Sequence, residues 1–226
     1  GRSVNPGAMD HALKGRDNLL IQAPAMCLGT ELQGLMDIRR NLKKRLLDYV
    51  KATIKEDLTR RGENPRAIYS VLNNLRENAL VIGFARRFAT YKRAALIFRD
   101  TARLARLLNN PKQPVIFIFA GKAHPNDIPG QQLINEIYML SQHAEFQGKI
   151  ILLEGYNLAM ARRLVSGVDV WLNTPEYPME ASGTSGQKAG INGAVNLSIL
   201  DGWWAEAYNR EVGWAIGSGE IYDDPD

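Results

Sequence analysis

Short apolar runs alternate with helical patterns along most of the chain. Unbroken apolar runs are typical of buried parallel strands, whereas apolar residues that recur every three or four positions indicate helices. The runs predict strands at residues 79–84, 115–120, 149–153, 168–172, 197–200 and 213–216. The helical spacing predicts helices at residues 35–61, from 65 to about 75, 94–108, 128–146, 158–165 and from about 188 onward. This alternation predicts an α/β, Rossmann-like fold, with a parallel sheet and helices on both of its faces.

The domain organisation predicted from this pattern is simple. Residues 1–30 carry no pattern and are expected to be an irregular lead or a remnant of an expression vector. Residues 31–226 are expected to form one Rossmann-like domain, a size that one hydrophobic core can support. The chain starts with Gly and ends in a polar D-D-P-D, so both ends are expected to be cut ends of a longer protein.

Composition excludes several function classes. The net charge is +4 and no basic stripe alternates with aromatic residues, so nucleic-acid binding is not expected. No run could span a bilayer and residues 1–10 do not resemble a signal peptide, so no membrane contact is expected. Cys27 is the only cysteine, which indicates a reducing, cytoplasmic compartment. His11, His124 and His143 lie far apart, so no structural metal is expected.

Unusual polar clusters follow four of the predicted strands. The carboxyl ends of parallel strands meet at one edge of the sheet, and ligands of such folds bind there. The sequence therefore predicts one ligand site at this edge. The clusters are Arg86-Arg87, Gly121-Lys122, Glu154-Gly155-Tyr156 and residues 173–188.

The first cluster is cationic, with four Arg or Lys among residues 86–93. Arginine binds phosphate through two parallel hydrogen bonds and lysine adds a point charge. Phosphate or a phosphorylated sugar is therefore the expected ligand. The alternative is a solvated, charged helix face.

Residues 180–188 read E-A-S-G-T-S-G-Q-K. Small residues before a helix expose several backbone N–H groups together, which form an anion site that the helix dipole strengthens. The hydroxyls of Ser182, Thr184 and Ser185 can donate to the same anion, and Lys188 is expected in the first turn of the helix beside it. The alternative is a Gly/Ser loop that only caps a helix.

The string E-A-S-G-T-S-G-Q-K-A-G-I-N-G-A, followed by N-L-S-I-L-D-G-W-W, resembles the pyridoxal-phosphate lysine segment of the α-glucan phosphorylases. It is most similar to the bacterial and archaeal branch, with Gln187 where Met is usual. Tyr91-Lys92-Arg93 and Gly-Lys-Ala-His-Pro at residues 121–125 resemble two further motifs of the family, and His124 is expected only to shape its turn. The resemblance covers residues 35–219 and implies the C-terminal half of a two-domain, GT-B-type glycosyltransferase.

The resemblance assigns the cofactor and substrate residues. Lys188 would carry pyridoxal 5'-phosphate, with Tyr156 beside its ring and Arg86, Thr184 and Ser185 at its phosphate. Arg87 and Lys92 would bind the substrate phosphate. Glu180 would bind a glucose hydroxyl, in a pocket lined by Ala181, Ser182 and Gly183. The chain departs from the animal-type enzymes at Ala89-Thr90, where those enzymes have His-Glu, and at Asn157, where they carry an Arg to the cofactor phosphate.

By this resemblance the whole enzyme transfers terminal glucose of an α-1,4-glucan to inorganic phosphate with retention, giving α-D-glucose 1-phosphate. The N-terminal glucan-binding domain is not in this chain, which is therefore expected to be inactive alone. One alternative is a retaining nucleotide-sugar transferase of the same fold. Those enzymes carry E-x7-E where this chain has E-x7-K, and lysine cannot accept from a ribose hydroxyl but can form an imine with an aldehyde. A non-catalytic sugar-binding fragment is the other alternative.

Overall fold

The computed structural model describes residues 30–217 of the chain, and their side chains from residue 33 onward. The lead predicted for residues 1–30, apart from Thr30, and the predictions on His11 and Cys27 lie outside the described residues. The helices are α1 (Thr30–Arg60), α2 (Pro65–Asn74), α3 (Thr101–Leu108), α4 (Ile128–Ser141), α5 (Leu158–Gly167), α6 (Thr184–Ile191) and α7 (Trp203–Ala207). The strands are β1 (Leu80–Ala85), β2 (Val115–Ala120), β3 (Ile150–Leu153), β4 (Val170–Asn173), β5 (Val195–Ile199) and β6 (Gly213–Ile216).

The strands form one sheet in the order β3-β2-β1-β4-β5-β6. Every neighbouring pair is parallel. The predicted Rossmann-like α/β fold is therefore confirmed. The strand order reverses between β1 and β4, and in doubly wound sheets ligands bind in the crevice outside the carboxyl ends of the strands at such a reversal.

Alternate residues of the strands pack on opposite faces of the sheet, as the period of two requires. Val81 and Ile118 belong to a core with residues of α1, α5 and α6. Their neighbours Ile82 and Phe119 belong to a second core with residues of α3 and α4. Helices thus cover both faces, and the polar groups at the strand ends are left at the carboxyl edge.

The described residues fall into two units that divide after Asn41, and the sheet lies wholly in the second. The apolar face predicted for the first helix is buried at Leu46 and Val50 in the second unit. Leu35 and Ile38 in the first unit are exposed.

Three predicted helix boundaries are wrong. Residues 94–108 form a 3-10 helix, Ala94–Phe98, and then α3, because the Asp100 side chain accepts from Arg103 N and starts a new helix. The helix predicted to reach residue 146 ends at Ser141, and a turn brings Phe146 into the core. The helix predicted from residue 188 begins at Thr184, directly after Gly183 in a left-handed conformation (φ 83°).

Candidate functional site

The β1–β2 pairing continues beyond both strands and fixes where Arg86 lies. Arg86 N donates to Ala120 O (3.1 Å), and Phe88 N donates to Lys122 O (3.0 Å). Gly121 lies between these bonds, and a methyl group there would come within 2.0 Å of Arg86 O. Only glycine permits this approach. The close contact of Gly121 with the Arg86 backbone therefore fixes Arg86 at the carboxyl edge of the sheet.

Arg86, Lys92 and Glu180 form a buried ionic cluster at this edge. Glu180 Oε2 accepts from Arg86 Nη2 (2.6 Å) and from Lys92 Nζ (2.5 Å). The three side chains are only 6–8% exposed. Charges attract strongly where water is excluded, but two cations share one carboxylate here. The ionic cluster therefore keeps one positive charge in excess.

Two nitrogen atoms of the ionic cluster have no hydrogen-bond partner among the described residues. Arg86 Nε and Nη1 are buried and make no hydrogen bond within residues 30–217. Burial lowers the pKa of Arg86, although Glu180 opposes this shift. Buried donors are nearly always paired in native proteins, and a guanidinium N–H makes a strong, charge-assisted hydrogen bond to a phosphate oxygen. These two unpartnered nitrogens are therefore suited to an anion such as a phosphate group.

Tyr91 connects exposed Arg87 to this cluster. Lys92 Nζ lies 4.3 Å from the centre of the Tyr91 ring, and the Tyr91 hydroxyl interacts with both Lys92 and Arg87. Burial acts to raise the pKa of Tyr91, but the hydrogen bonds with Lys92 and Arg87 outweigh it and hold the pKa below its ordinary value. Sequence reasoning did not select Tyr91 as a site residue, although its position among four cations was a usable signal.

Arg93 does not take part in the ionic cluster. It has a left-handed conformation (φ 45°) and donates to the backbone oxygens of Thr174 (3.2 Å) and Pro175 (3.1 Å). Glu176 N donates to Tyr91 O at 2.7 Å. These bonds tie the cationic segment to the loop after β4, which leads to Glu180. Arg93 thus serves the architecture of the site, unlike the other cations of residues 86–93.

The expectation that Lys188 lies in the first turn of its helix is wrong. Because α6 begins at Thr184, Lys188 is its fifth residue and lies in the last turn, exposed to solvent. Residues four apart lie on the same helix face, so Lys188 and Thr184 are neighbours one turn apart. Ser185 is half-buried in the first turn. The hydroxyls and the lysine therefore remain on adjacent turns.

The remaining loop residues flank Glu180 at the start of α6. Ser182 and Gly183 are half-buried and Ala181 is exposed. The structure brings these residues, Glu180, Arg86 and Lys92 to one place, as the sequence predicted. It also pairs Glu180, the residue predicted to bind sugar, with Arg86 and Lys92, the two residues predicted to bind phosphate groups. The sequence did not predict this pairing.

Tyr156 comes to the same edge from β3, which lies two strands from β1. Neighbouring strands are about 4.8 Å apart, so the separation from the β1 end is about 10 Å. Tyr156 is half-buried against the core, and this burial raises its pKa. Asn157 caps α5 by accepting from Met160 N at 3.0 Å. Asn157 therefore caps a helix in this chain, whereas animal-type enzymes carry a phosphate-binding Arg at its position.

His124 shapes the turn before α4. Its Nδ1 accepts from Asn126 N (3.1 Å), and its backbone oxygen accepts from Asp127 N (2.9 Å). Within the part of the chain that the structure describes, no group of three or more His, Cys, Asp or Glu is arranged to hold a metal ion. None of the described helices is both long and apolar enough to cross a membrane.

Comparison with known proteins decides the family. The family model for carbohydrate phosphorylases matches residues 29–220. The chain belongs to the carbohydrate phosphorylase family. The family predicted from residues 180–204 and 86–93 is thereby confirmed, and the phosphorylase motifs fall on the residues that the structure gathers at the carboxyl edge.

Two relatives in this family are a maltodextrin phosphorylase and a glycogen phosphorylase. The first, from Thermococcus litoralis, is 51% identical over 183 residues, which cover 81% of this chain and 21% of the relative. The second, from Aquifex aeolicus, is 45% identical over 182 residues, which cover 80% of this chain and 26% of the relative. The chain thus spans about a fifth to a quarter of the length of these two phosphorylases.

A solved structure shares the fold of this phosphorylase-family chain. It is HepE of Anabaena in complex with UDP, with a TM-score of 0.51 and 21% identity, covering 70% of this chain and 40% of HepE. At this identity the likeness concerns the fold alone.

Proposed function

We propose that this chain is the cofactor- and phosphate-binding part of an α-glucan phosphorylase, with residues 31–226 as one Rossmann-like domain behind an N-terminal lead. The whole enzyme transfers the terminal glucosyl unit of an α-1,4-glucan to inorganic phosphate with retention, and the product is α-D-glucose 1-phosphate. We place this activity in the cytoplasm. One observation carries the proposal: the buried ionic cluster at the reversal of the strand order has excess positive charge and two Arg86 nitrogens, Nε and Nη1, without a hydrogen-bond partner among the described residues.

The residues at this site fit pyridoxal 5'-phosphate. The unpartnered donors of Arg86 suit a phosphate dianion, and the first turn of α6 adds the hydroxyls of Thr184 and Ser185 with its backbone N–H groups. Lys188 would hold the cofactor covalently, and Tyr156 would lie beside its ring. Once bound, the cofactor supplies a phosphate group that can give and take a proton next to the substrate phosphate.

Arg87 and Lys92 would bind the substrate phosphate. Two phosphates at close range repel each other unless cations surround them, and Arg86, Arg87 and Lys92 supply three positive charges. Tyr91 interacts with both Arg87 and Lys92, and Lys92 Nζ lies 4.3 Å from the centre of the Tyr91 ring. The substrate phosphate, once fixed, can stabilise the positive charge that develops on the glucosyl carbon.

Glu180 would accept a hydrogen bond from a glucosyl hydroxyl. Both cations of the ionic cluster contact the same oxygen, Oε2, so they do not engage the other carboxylate oxygen. Ala181, Ser182 and Gly183 follow directly and would line the sugar pocket.

Because the chain spans only part of the length of its relatives, we expect turnover from the full-length protein and none from this chain alone.

The test is borohydride reduction of the full-length protein, followed by mass spectrometry of the Lys188 peptide and an assay of glucose 1-phosphate release from maltodextrin. We expect a pyridoxyl-phosphate adduct on Lys188 and phosphate-dependent release. Lys149 is the internal control, because burial lowers its pKa and it directly precedes β3, at the amino edge of the sheet and so remote from the proposed cofactor site.

An unmodified Lys188 in folded, full-length protein would remove the cofactor assignment, and equal labelling of Lys149 would show that the reaction is nonspecific. Binding of a nucleoside diphosphate together with an unmodified Lys188 would favour the nucleotide-sugar transferase. Glucose binding without any transfer would favour the non-catalytic fragment.

A further inference from the structure

The turn between β5 and α7 holds the backbone of Glu180. Asp201 is 5% exposed, and its Oδ2 accepts from Glu180 N at 2.8 Å. Its Oδ1 accepts from Gly202 N, also at 2.8 Å. Trp203 N, the next donor along the chain, donates to Ser182 O at 2.9 Å. One short turn thus binds both sides of the loop that carries the Glu180 carboxylate.

Packing makes this contact tight. Gly202 has φ +57°, and a methyl group there would lie 2.6 Å from Ser182 O and 3.1 Å from Glu180 Cγ. The same turn reaches the start of α6, because a methyl group at Gly186 would lie 2.9 Å from Trp203 Nε1. The Glu180 loop and the turn at Gly202 therefore approach each other more closely than any side chain at position 202 would allow.

We propose that Asp201 is a positioning residue for Glu180. This inference rests on the proposed function, in which Glu180 must meet a glucosyl hydroxyl while it pairs with Arg86 and Lys92. A carboxylate held between two cations can slide toward either of them, and a fixed backbone N–H limits that movement. Asp201 provides the fixed point through a charge-assisted hydrogen bond to Glu180 N.

Asp201→Asn tests this assignment at constant side-chain size. A carboxylate can accept from Glu180 N and Gly202 N together, whereas an amide has only one oxygen and sets an N–H group against the other donor. Glu180 should then loosen from Arg86 and Lys92. We expect weaker sugar binding and, because the two cations lose part of their internal partner, phosphate binding that is equal or tighter.

Asp169→Asn is the matched control. Asp169 Oδ2 also accepts from a backbone N–H, that of Val81 (2.8 Å), and pairs with Lys43 Nζ (2.6 Å). It directly precedes β4 and so lies at the amino edge of the sheet, away from the ionic cluster. Asp169→Asn should lower the unfolding temperature without changing the affinity for glucose or for inorganic phosphate.

The experiment measures the dissociation constants of glucose and of inorganic phosphate by calorimetry on full-length wild type and both variants. For Asp201→Asn we expect the glucose constant to rise about tenfold, the effect of one hydrogen bond to a charged group, while the phosphate constant stays equal or falls. Parallel weakening of both ligands would show a merely structural defect and overturn the proposal. The proposal is also overturned if Asp201→Asn, like Asp169→Asn, changes neither dissociation constant, or if the wild type binds no glucose.

Turnover is measured separately, so that a failure of the proposed function can be recognised. A wild type that binds both ligands but releases no glucose 1-phosphate would count against phosphorolysis and leave the positioning role standing. If the wild type releases glucose 1-phosphate and Asp201→Asn leaves both dissociation constants unchanged, only the positioning role is rejected.

Discussion

Replacing Glu180 by Gln removes the only carboxylate of the buried ionic cluster at nearly constant size. Glu180 Oε2 serves Arg86 and Lys92 at once, and all three side chains are at most 8% exposed. Removing one partner of a buried ion pair typically costs about 3–5 kcal/mol, because the remaining charge is left without compensation. Two cations are left here, so we expect Glu180→Gln to lower the free energy of unfolding by an amount near the upper end of that range.

The same change should tighten anion binding. In wild type an incoming phosphate competes with Glu180 for Lys92, and in the variant it does not. A ligand stabilises the folded state by RT ln(1 + [L]/Kd), so phosphate should restore more stability to the variant than to wild type. Thermal unfolding with and without phosphate measures this, with sodium chloride at equal ionic strength as the reference.

Glu154→Gln is the matched control for this experiment. Glu154 pairs with Arg61, but the Glu154 side chain is 53% exposed, and exposed pairs contribute about 0–1 kcal/mol. The reasoning fails if Glu180→Gln destabilises the protein no more than Glu154→Gln does. It also fails if phosphate protects the Glu180 variant less than it protects wild type.

Two further predictions concern the backbone and the tyrosines of the site. Gly121→Ala should lower the free energy of unfolding by about 1–3 kcal/mol and weaken phosphate binding, because the methyl group would lie 2.0 Å from Arg86 O. Gly190→Ala is the control and should do neither, because its methyl group would make only a 3.4 Å contact with Asn196. Chemical denaturation measures the stability of both variants, and calorimetry measures their phosphate binding. Alkaline titration should separate Tyr156 and Tyr91, whose ordinary pKa is about 10. The raised pKa of Tyr156 gives stability that is present below about pH 10 and lost as the pH rises through its folded pKa, so the difference between wild type and Tyr156→Phe should shrink with pH. The lowered pKa of Tyr91 gives stability that is present above about pH 10 and lost as the pH falls through its folded pKa, so the difference for Tyr91→Phe should grow with pH; the same trend in both variants would contradict the two assignments.

The sheet could be predicted from the sequence because buried parallel strands are uninterrupted apolar runs. Val115–Ala120 was predicted at its observed bounds, and the remaining strands were placed within two residues. The sequence also predicted that Arg86 and Glu180 lie at one edge. It did not predict their ion pair, which joins residues 94 positions apart and depends on β4 lying next to β1. Strand order is set by packing between distant segments, which a local pattern does not contain.

Helix boundaries failed where a single residue decides the start. Asp100 caps α3 and divides a stretch whose apolar spacing reads as one helix. Gly183 takes a left-handed conformation that starts α6 four residues earlier than predicted, and so moves Lys188 to its last turn. The task of Asp201 was missed for a related reason. Its bond to Glu180 N spans 21 residues, and a lone Asp before Gly-Trp reads only as a turn residue.

The internal pairing of Glu180 has a consequence for a reversible transfer. Under the proposed function the site must bind phosphate in one direction and release it as part of glucose 1-phosphate in the other. Two buried cations with no internal partner would hold an anion strongly, since at an effective dielectric constant of about 20 each pair at about 4 Å contributes about 4 kcal/mol. Glu180 offsets part of that attraction and occupies Lys92 when phosphate departs. The same carboxylate can therefore serve the sugar and moderate the phosphate site, which is why its exact placement by Asp201 matters.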